Sequence, residues 1–173
     1  MRQLGRKGIS LAELMTVIAV LGILALFADL SMSDYHRTVR LQSAADMILT
    51  DIRQARFTVL TWGDPYRIDF EPKTASYLVN GAGRVKLPPG ISFGSAAGVT
   101  GRPSDPHTAP PADGITFRGE GTENRAEFLP KGLVVPTGAV YLTNGKDTLA
   151  ITVTVNGHTT AWRSSGGSVW VEI

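Results

Sequence analysis

ISLAELMTVIAVLGILALFA, from Ile9 to Ala28, is a run of 20 residues carrying one charge, Glu13. As a helix rising 1.5 Å per residue it spans about 30 Å, the thickness of a bilayer core. Arg2, Arg6 and Lys7 stand before it, and Asp29 and Asp34 follow. The positive-inside rule therefore places the N-terminus in the cytoplasm and the remainder across the membrane. An ordinary signal peptide would have a shorter apolar region and a small-x-small exit. The exit here is Leu26-Phe27-Ala28, with a large residue where a small one is wanted. A plain signal anchor leaves Glu13 without a purpose, and a carboxylate within a bilayer costs several kcal/mol.

Working outward, no proline occurs between Met1 and Pro65. Beyond the apolar run, Leu41, Ala45, Ile48, Ile52, Ala55 and Val59 recur at spacings of three and four, a helical stripe. Arg37, Arg40, Asp46, Asp51, Arg53 and Arg56 lie mostly off it and suit a solvated face. The pattern predicts one helix from Ile9 to about Thr61: a membrane segment at 9–28, then a continuation at 29–62 that lays its stripe on a sheet. Trp62-Gly63-Asp64-Pro65 ends it, glycine capping and proline stopping the helix. Gly22 is either a site of local unwinding or a small residue for close helix packing.

From residue 63 to residue 173 the period changes to two, as expected of a β-rich head. Tyr66 to Phe70 alternates cleanly, Ala75 to Val79 follows, and Asn80-Gly81 marks a turn. Val85 to Leu87 and Ile91 to Phe93 are short candidates. A second group runs over Ile115–Phe117, Arg125–Leu129, Ala139–Thr143, Thr148–Val155, His158–Arg163 and Ser168–Val171. Val155-Asn156-Gly157-His158 is the strongest hairpin signal. The fold expected is α+β: a long N-terminal helix, membrane-spanning in its first half, packed against an antiparallel sheet in one head domain. Between the strand groups, residues 94–114 are rich in Gly, Pro, Ala and Ser and lack a hydrophobic period, which suggests a mobile surface loop.

Arg6-Lys7-Gly8-Ile9-Ser10-Leu11-Ala12-Glu13-Leu14 closely resembles the cleavage motif of type IV prepilins and pseudopilins. In that family a basic leader ends in Gly, a prepilin peptidase cuts after it on the cytoplasmic side, and the new N-terminus is methylated. The resemblance implies a leader at 1–8, cleavage between Gly8 and Ile9, N-methylation of Ile9, and Glu13 as the family's invariant assembly acid. Ile9 stands where Phe or Met is usual. Glu13 lies one helical turn from the new amine, so that amine, or a neighbouring subunit's, can neutralise it. Arg53-Gln54-Ala55-Arg56, Leu87-Pro88-Pro89-Gly90-Ile91, the span from Phe128 to Gly132 and the Val-x-x-Asn-Gly hairpin look like the GspH/FimT branch. The resemblance thus implies the pilin fold. It also implies a minor subunit of a type II secretion pseudopilus or a type IV pilus, held in the inner membrane with a periplasmic head and then assembled with other subunits.

Composition excludes some chemistry. No cysteine is present, so no disulfide or thiolate site exists. The charge is +2, but the first eight residues hold three basic groups and no acid. Without them 14 basic face 15 acidic residues, a net −1, so the pI near 9.1 does not imply a general attraction to phosphate. His36, His107 and His158 show no metal-ligand spacing, and no phosphate loop joins a strand to a helix. The expectation is a non-enzyme without metal or cofactor. Trp162 and Trp170 read as sheet packing. Some FimT-like pilins bind DNA through a basic C-terminal region. After the Asn156-Gly157 turn only Arg163 offers a firm positive charge here, so DNA capture through Arg163, aided by Arg53 and Arg56 if they lie nearby, is the alternative function.

Overall fold

The computed structural model describes residues 10–81, 83–118 and 124–173, with the backbone alone for 25–33. The leader, Gly8 and Ile9 lie outside these residues. The chain divides into two units, one ending at His36 and the other running from Arg37 to Ile173.

Helix α1 runs from Leu11 to Trp62. The Ser10 carbonyl opens it by accepting the amides of Glu13 and Leu14, at 3.0 and 3.1 Å. Glu13 in the first turn complements the positive end of the helix dipole. The other end stops as the sequence suggests: Gly63 turns left-handed at φ 77°, and its amide closes on the Val59 carbonyl at 2.9 Å. Among the described residues no helix is long and apolar enough to cross a membrane. The expected span at 9–28 extends beyond them at Ile9 and, in its side chains, over 25–28.

Among the described residues ten strands follow: β1 Tyr66–Glu71, β2 Ser76–Val79, β3 Gly83–Lys86, β4 Ser92–Phe93, β5 Arg125–Leu129, β6 Leu133–Val135, β7 Gly138–Thr143, β8 Thr148–Val153, β9 Thr159–Ser164 and β10 Val171–Glu172. They form two antiparallel sheets rather than one, ordered β3-β2-β1-β5-β6 and β10-β9-β8-β7-β4. The division arises because β1 accepts β5 on its free edge, with Ile68 opposite Ala126, while β4 leaves its neighbours in sequence to pair with β7. Ile115–Phe117 is not a full strand. It runs beside β7 through an Ile115–Val140 bridge and the Thr116 amide donating to the Ala139 carbonyl at 3.0 Å.

The helix stripe lies at the centre of a common core. Leu41, Ala45, Ile48, Ile52, Ala55 and Val59 are all buried, as is Ala44. They cluster with Ile68, Phe70, Tyr77 and Phe128 of the first sheet and with Val140, Leu142, Leu149 and Ile151 of the second. Phe70 stacks on Phe117 at 5.8 Å and meets Phe93 edge-on at 6.0 Å. Each buried aromatic or branched side chain contributes about 1.5–3 kcal/mol relative to exposure. The helix and both sheets are therefore one cooperative head.

The second sheet is covered on both faces, which explains the nearly unbroken burial of β7 and β8. Val140 and Leu142 face the core, while Ala139, Tyr141 and Ala150 form a second cluster with Trp162 and Trp170. The stretch 94–114 has no regular strand or helix, yet it is tied to this sheet at several points. Gly94 donates to Tyr141 O at 3.0 Å, and Tyr141 donates to Gly114 O at 2.7 Å. Ala96 N meets Thr148 Oγ1 at 2.8 Å, and Trp170 Nε1 meets Gly101 O at 3.0 Å. Ala96 and Val99 are buried.

Candidate functional site

Glu13 stands in the first turn of α1 among Leu11, Leu14, Met15, Val17 and Ile18, all exposed. The exposed apolar surface continues through Val20, Leu21, Ile23 and Leu24. A β-carbon added at Gly22 would meet nothing within 4 Å, and the helix passes through it unbroken. Thr16 donates its hydroxyl to the Glu13 carbonyl at 2.8 Å, which occupies the Thr16 hydroxyl within the helix. The surface around Glu13 is thus hydrocarbon with one carboxylate. Such a surface is stable only when something covers it and brings a cation or donor to the acid.

Arg163, the candidate DNA contact, lies opposite Leu149 and Val171 near the end of β9. It pairs with Asp147 at 3.5 Å, and the Ser165 hydroxyl donates to the other oxygen of that carboxylate at 3.3 Å. Asp147 is well buried while the Arg163 side chain stays 43% exposed, so the acid offsets part of the charge of a guanidinium at the surface. Arg53 and Arg56 do not join it. They line a groove with Phe57, Leu60, His158 and Thr159, at the opposite end of the β8–β9 hairpin. Arg163 lies four residue steps along the strand from Thr159, about 13 Å.

The groove depends on how the hairpin turns. Gly157 donates to the Thr154 carbonyl at 2.9 Å, and Thr154 N meets His158 O at 3.0 Å. The turn therefore begins at Thr154, and β8 ends at Val153, two residues earlier than alternation suggests. Gly157 follows the turn at φ 69°, a left-handed position that glycine occupies without steric cost. A β-carbon there would lie 2.9 Å from Gly132 O and 3.0 Å from the Arg56 side chain. The two glycine turns therefore close on the Arg56 stem. The sequence signals were the Asn-Gly pair and the Phe128–Gly132 span; their meeting over the helix is a tertiary fact.

Other groups with perturbed protonation are structural. The Tyr77 hydroxyl donates to Asp51 Oδ2 at 2.5 Å, and burial first, then this bond, raises its pKa far above the phenol value. Burial pushes Tyr141 up to about 12, offset in part by Arg102. The Thr108 hydroxyl and then the His107 amide hold Asp105 below the usual carboxylate value, by hydrogen bonding. His36 lies beside Tyr35, with ring centres 6.1 Å apart. Among the described residues no three His, Cys, Asp or Glu side chains converge as a metal site.

The chain matches no family model, no curated protein and no solved structure. Its own residues therefore carry the functional reading. Two surfaces stand out, the apolar helix bearing Glu13 and the arginine groove.

Proposed function

We propose that the chain is a minor subunit of a type IV pilus or type II secretion pseudopilus, made as a membrane-anchored precursor and cleaved after Gly8. The observation that carries the reading is the surface of α1 from Leu11 to Leu24: exposed hydrocarbon with a single carboxylate at Glu13. A globular domain gains nothing by exposing such a surface. A lipid bilayer covers it first, and the helices of other subunits cover it after assembly. The later turns of α1 give the head its ridge, so the element that enters the filament core also carries the domain displayed outside.

In this reading Glu13 is the register device. The amine freed at Ile9, on the same subunit or its neighbour, pairs with the acid in a low-dielectric setting, where mispairing leaves a buried charge unmatched. The prepilin peptidase, the inner membrane and other subunits are the partners, and the head is periplasmic. The nucleic-acid alternative rests on Arg163, and its pairing with Asp147 weighs against it.

The test is the mass of the N-terminal peptide from cells with an active prepilin peptidase. The expected species begins with N-methylated Ile9. A chain that still begins at Met1 in such cells refutes the processing step.

A further inference from the structure

We propose that the groove between the last turns of α1 and the β8–β9 turn is a docking site for a protein partner. The partner would set an acidic side chain, flanked by aliphatic ones, against Arg56. The proposal stands whether or not the chain enters a filament.

Arg56 Nε is buried and has no hydrogen-bond partner. That is costly, because a desolvated donor on a charged group forfeits its water without replacement. The position is built: Gly132 and Gly157, both at positive φ, bring backbone against the Arg56 stem, and a β-carbon at Gly157 would collide with the Gly132 carbonyl and press on that stem. Five other arginines of the head are matched with acids, while Arg37 and Arg40 line a second groove that has no acid in its lining. Arg67 pairs with Glu127, Arg84 with Glu71, Arg118 with Asp113, Arg125 with Asp69 and Arg163 with Asp147. The groove has a volume of about 370 Å³, contains Arg53, Arg56 and His158, and has no acid in its lining.

Its composition selects the occupant. A nucleic-acid track needs a succession of cations along the backbone, whereas this groove is local, with Arg53, Arg56 and His158 as its basic residues. Two of the walls are hydrocarbon: Phe57 is 62% exposed and Leu60 56%. Arginine among exposed aromatic and aliphatic side chains is the composition of a protein-interface anchor. A planar guanidinium fork matches a carboxylate in two parallel hydrogen bonds.

The full chain in detergent micelles, labelled with 15N-arginine, would be titrated with acetyl-Leu-Glu-Leu-amide, acetyl-Leu-Gln-Leu-amide and a dodecathymidine oligonucleotide. The expected result is a saturable shift of the Arg56 Nε–H resonance with the glutamate peptide and about tenfold weaker binding of the glutamine peptide. Arg56→Gln should weaken the glutamate peptide about tenfold, and Arg53→Gln, a surface change that leaves the fold intact, severalfold. No saturable shift, equal binding of the two peptides, or indifference to both substitutions would overturn the proposal. Binding of the oligonucleotide tenfold tighter than the peptide would overturn it in favour of phosphate recognition.

Discussion

Replacing Ile52 by alanine tests the packing on which the head depends. Ile52 is fully buried in the middle of the α1 stripe, within the cluster that joins both sheets. Truncating a buried isoleucine to alanine removes transfer energy and leaves a cavity, together about 2–5 kcal/mol. Enclosure on all sides limits collapse around the void, so about 3.5 kcal/mol is a fair central value. The unit from Arg37 to Ile173 has an unfolding entropy of about 0.29 kcal/mol/K, at about 2.1 cal/mol/K per residue. The expected drop in Tm is therefore about 12 °C. Calorimetry and tryptophan fluorescence of the full chain in detergent would measure it, with Gln54→Ala, exposed on the other side of the helix, as a control expected within about 0.5 kcal/mol of wild type. If Ile52→Ala lowered Tm by under about 3 °C, or if the control fell as far, the stripe would not be what binds the helix to the sheets.

Glu13→Ala should leave membrane insertion unchanged and reduce recovery in sheared filaments at least tenfold; recovery equal to wild type would remove Glu13 from assembly. Tyr77→Phe deletes the hydroxyl bonded to Asp51 and should cost about 1–2 kcal/mol at neutral pH, read by denaturant melts. Because folding raises the Tyr77 pKa above its ordinary 10.0, its contribution is fully present below pH 10 and fades as pH rises beyond it. The wild type should therefore lose more stability than Tyr77→Phe above pH 10, and parallel losses would contradict the assignment. Trp170→Ala removes the bond to Gly101 and the edge contact with Tyr141 at 5.8 Å. Amide exchange at Thr100 and Gly167, which hold residues 98–101 to the chain end, should quicken at least tenfold; unchanged exchange would mean other anchors suffice.

Local rules made much of the fold legible, and the failures have a common cause. The helical stripe needs only its own spacing, and all six of its residues are buried. Arg125–Leu129 alternates in isolation and is a strand at those bounds. β6, Leu133–Val135, escaped because three residues after Pro130-Lys131-Gly132 carry too short a pattern; it exists because it pairs with β5, Phe128 opposite Val134. The division into two sheets was hidden for the same reason, since β1–β5 and β4–β7 join distant segments. Residues 94–114 lack a period because their contacts are backbone bonds and small side chains laid over a finished sheet. At the sites, the sequence marked Glu13 by its solitude among apolar residues, whereas the Arg56 groove depends on two glycine turns far apart in the chain. The ion pair that occupies Arg163 was also invisible, since Asp147 reaches it only through the β8–β9 register.

The distribution of satisfied charge points to where the head can receive a partner. The solvent face of the first sheet is knitted by cross-strand pairs: Arg67 faces Glu127 and Asp69 faces Arg125 in the β1–β5 register, and Arg84 reaches Glu71. Opposite charges placed directly across a ladder stabilise it modestly and leave little field to attract a ligand. The outer face of the second sheet is partly covered by the 94–114 stretch and the two tryptophans, which leave a cavity of about 680 Å³ beside Ala139, Tyr141 and Trp162. The end of α1 differs on both counts, with arginines that no described acid neutralises and apolar side chains that no strand covers. In the docking proposal, that combination of unpaired guanidinium and bare hydrocarbon is what an acidic segment flanked by aliphatic side chains would match.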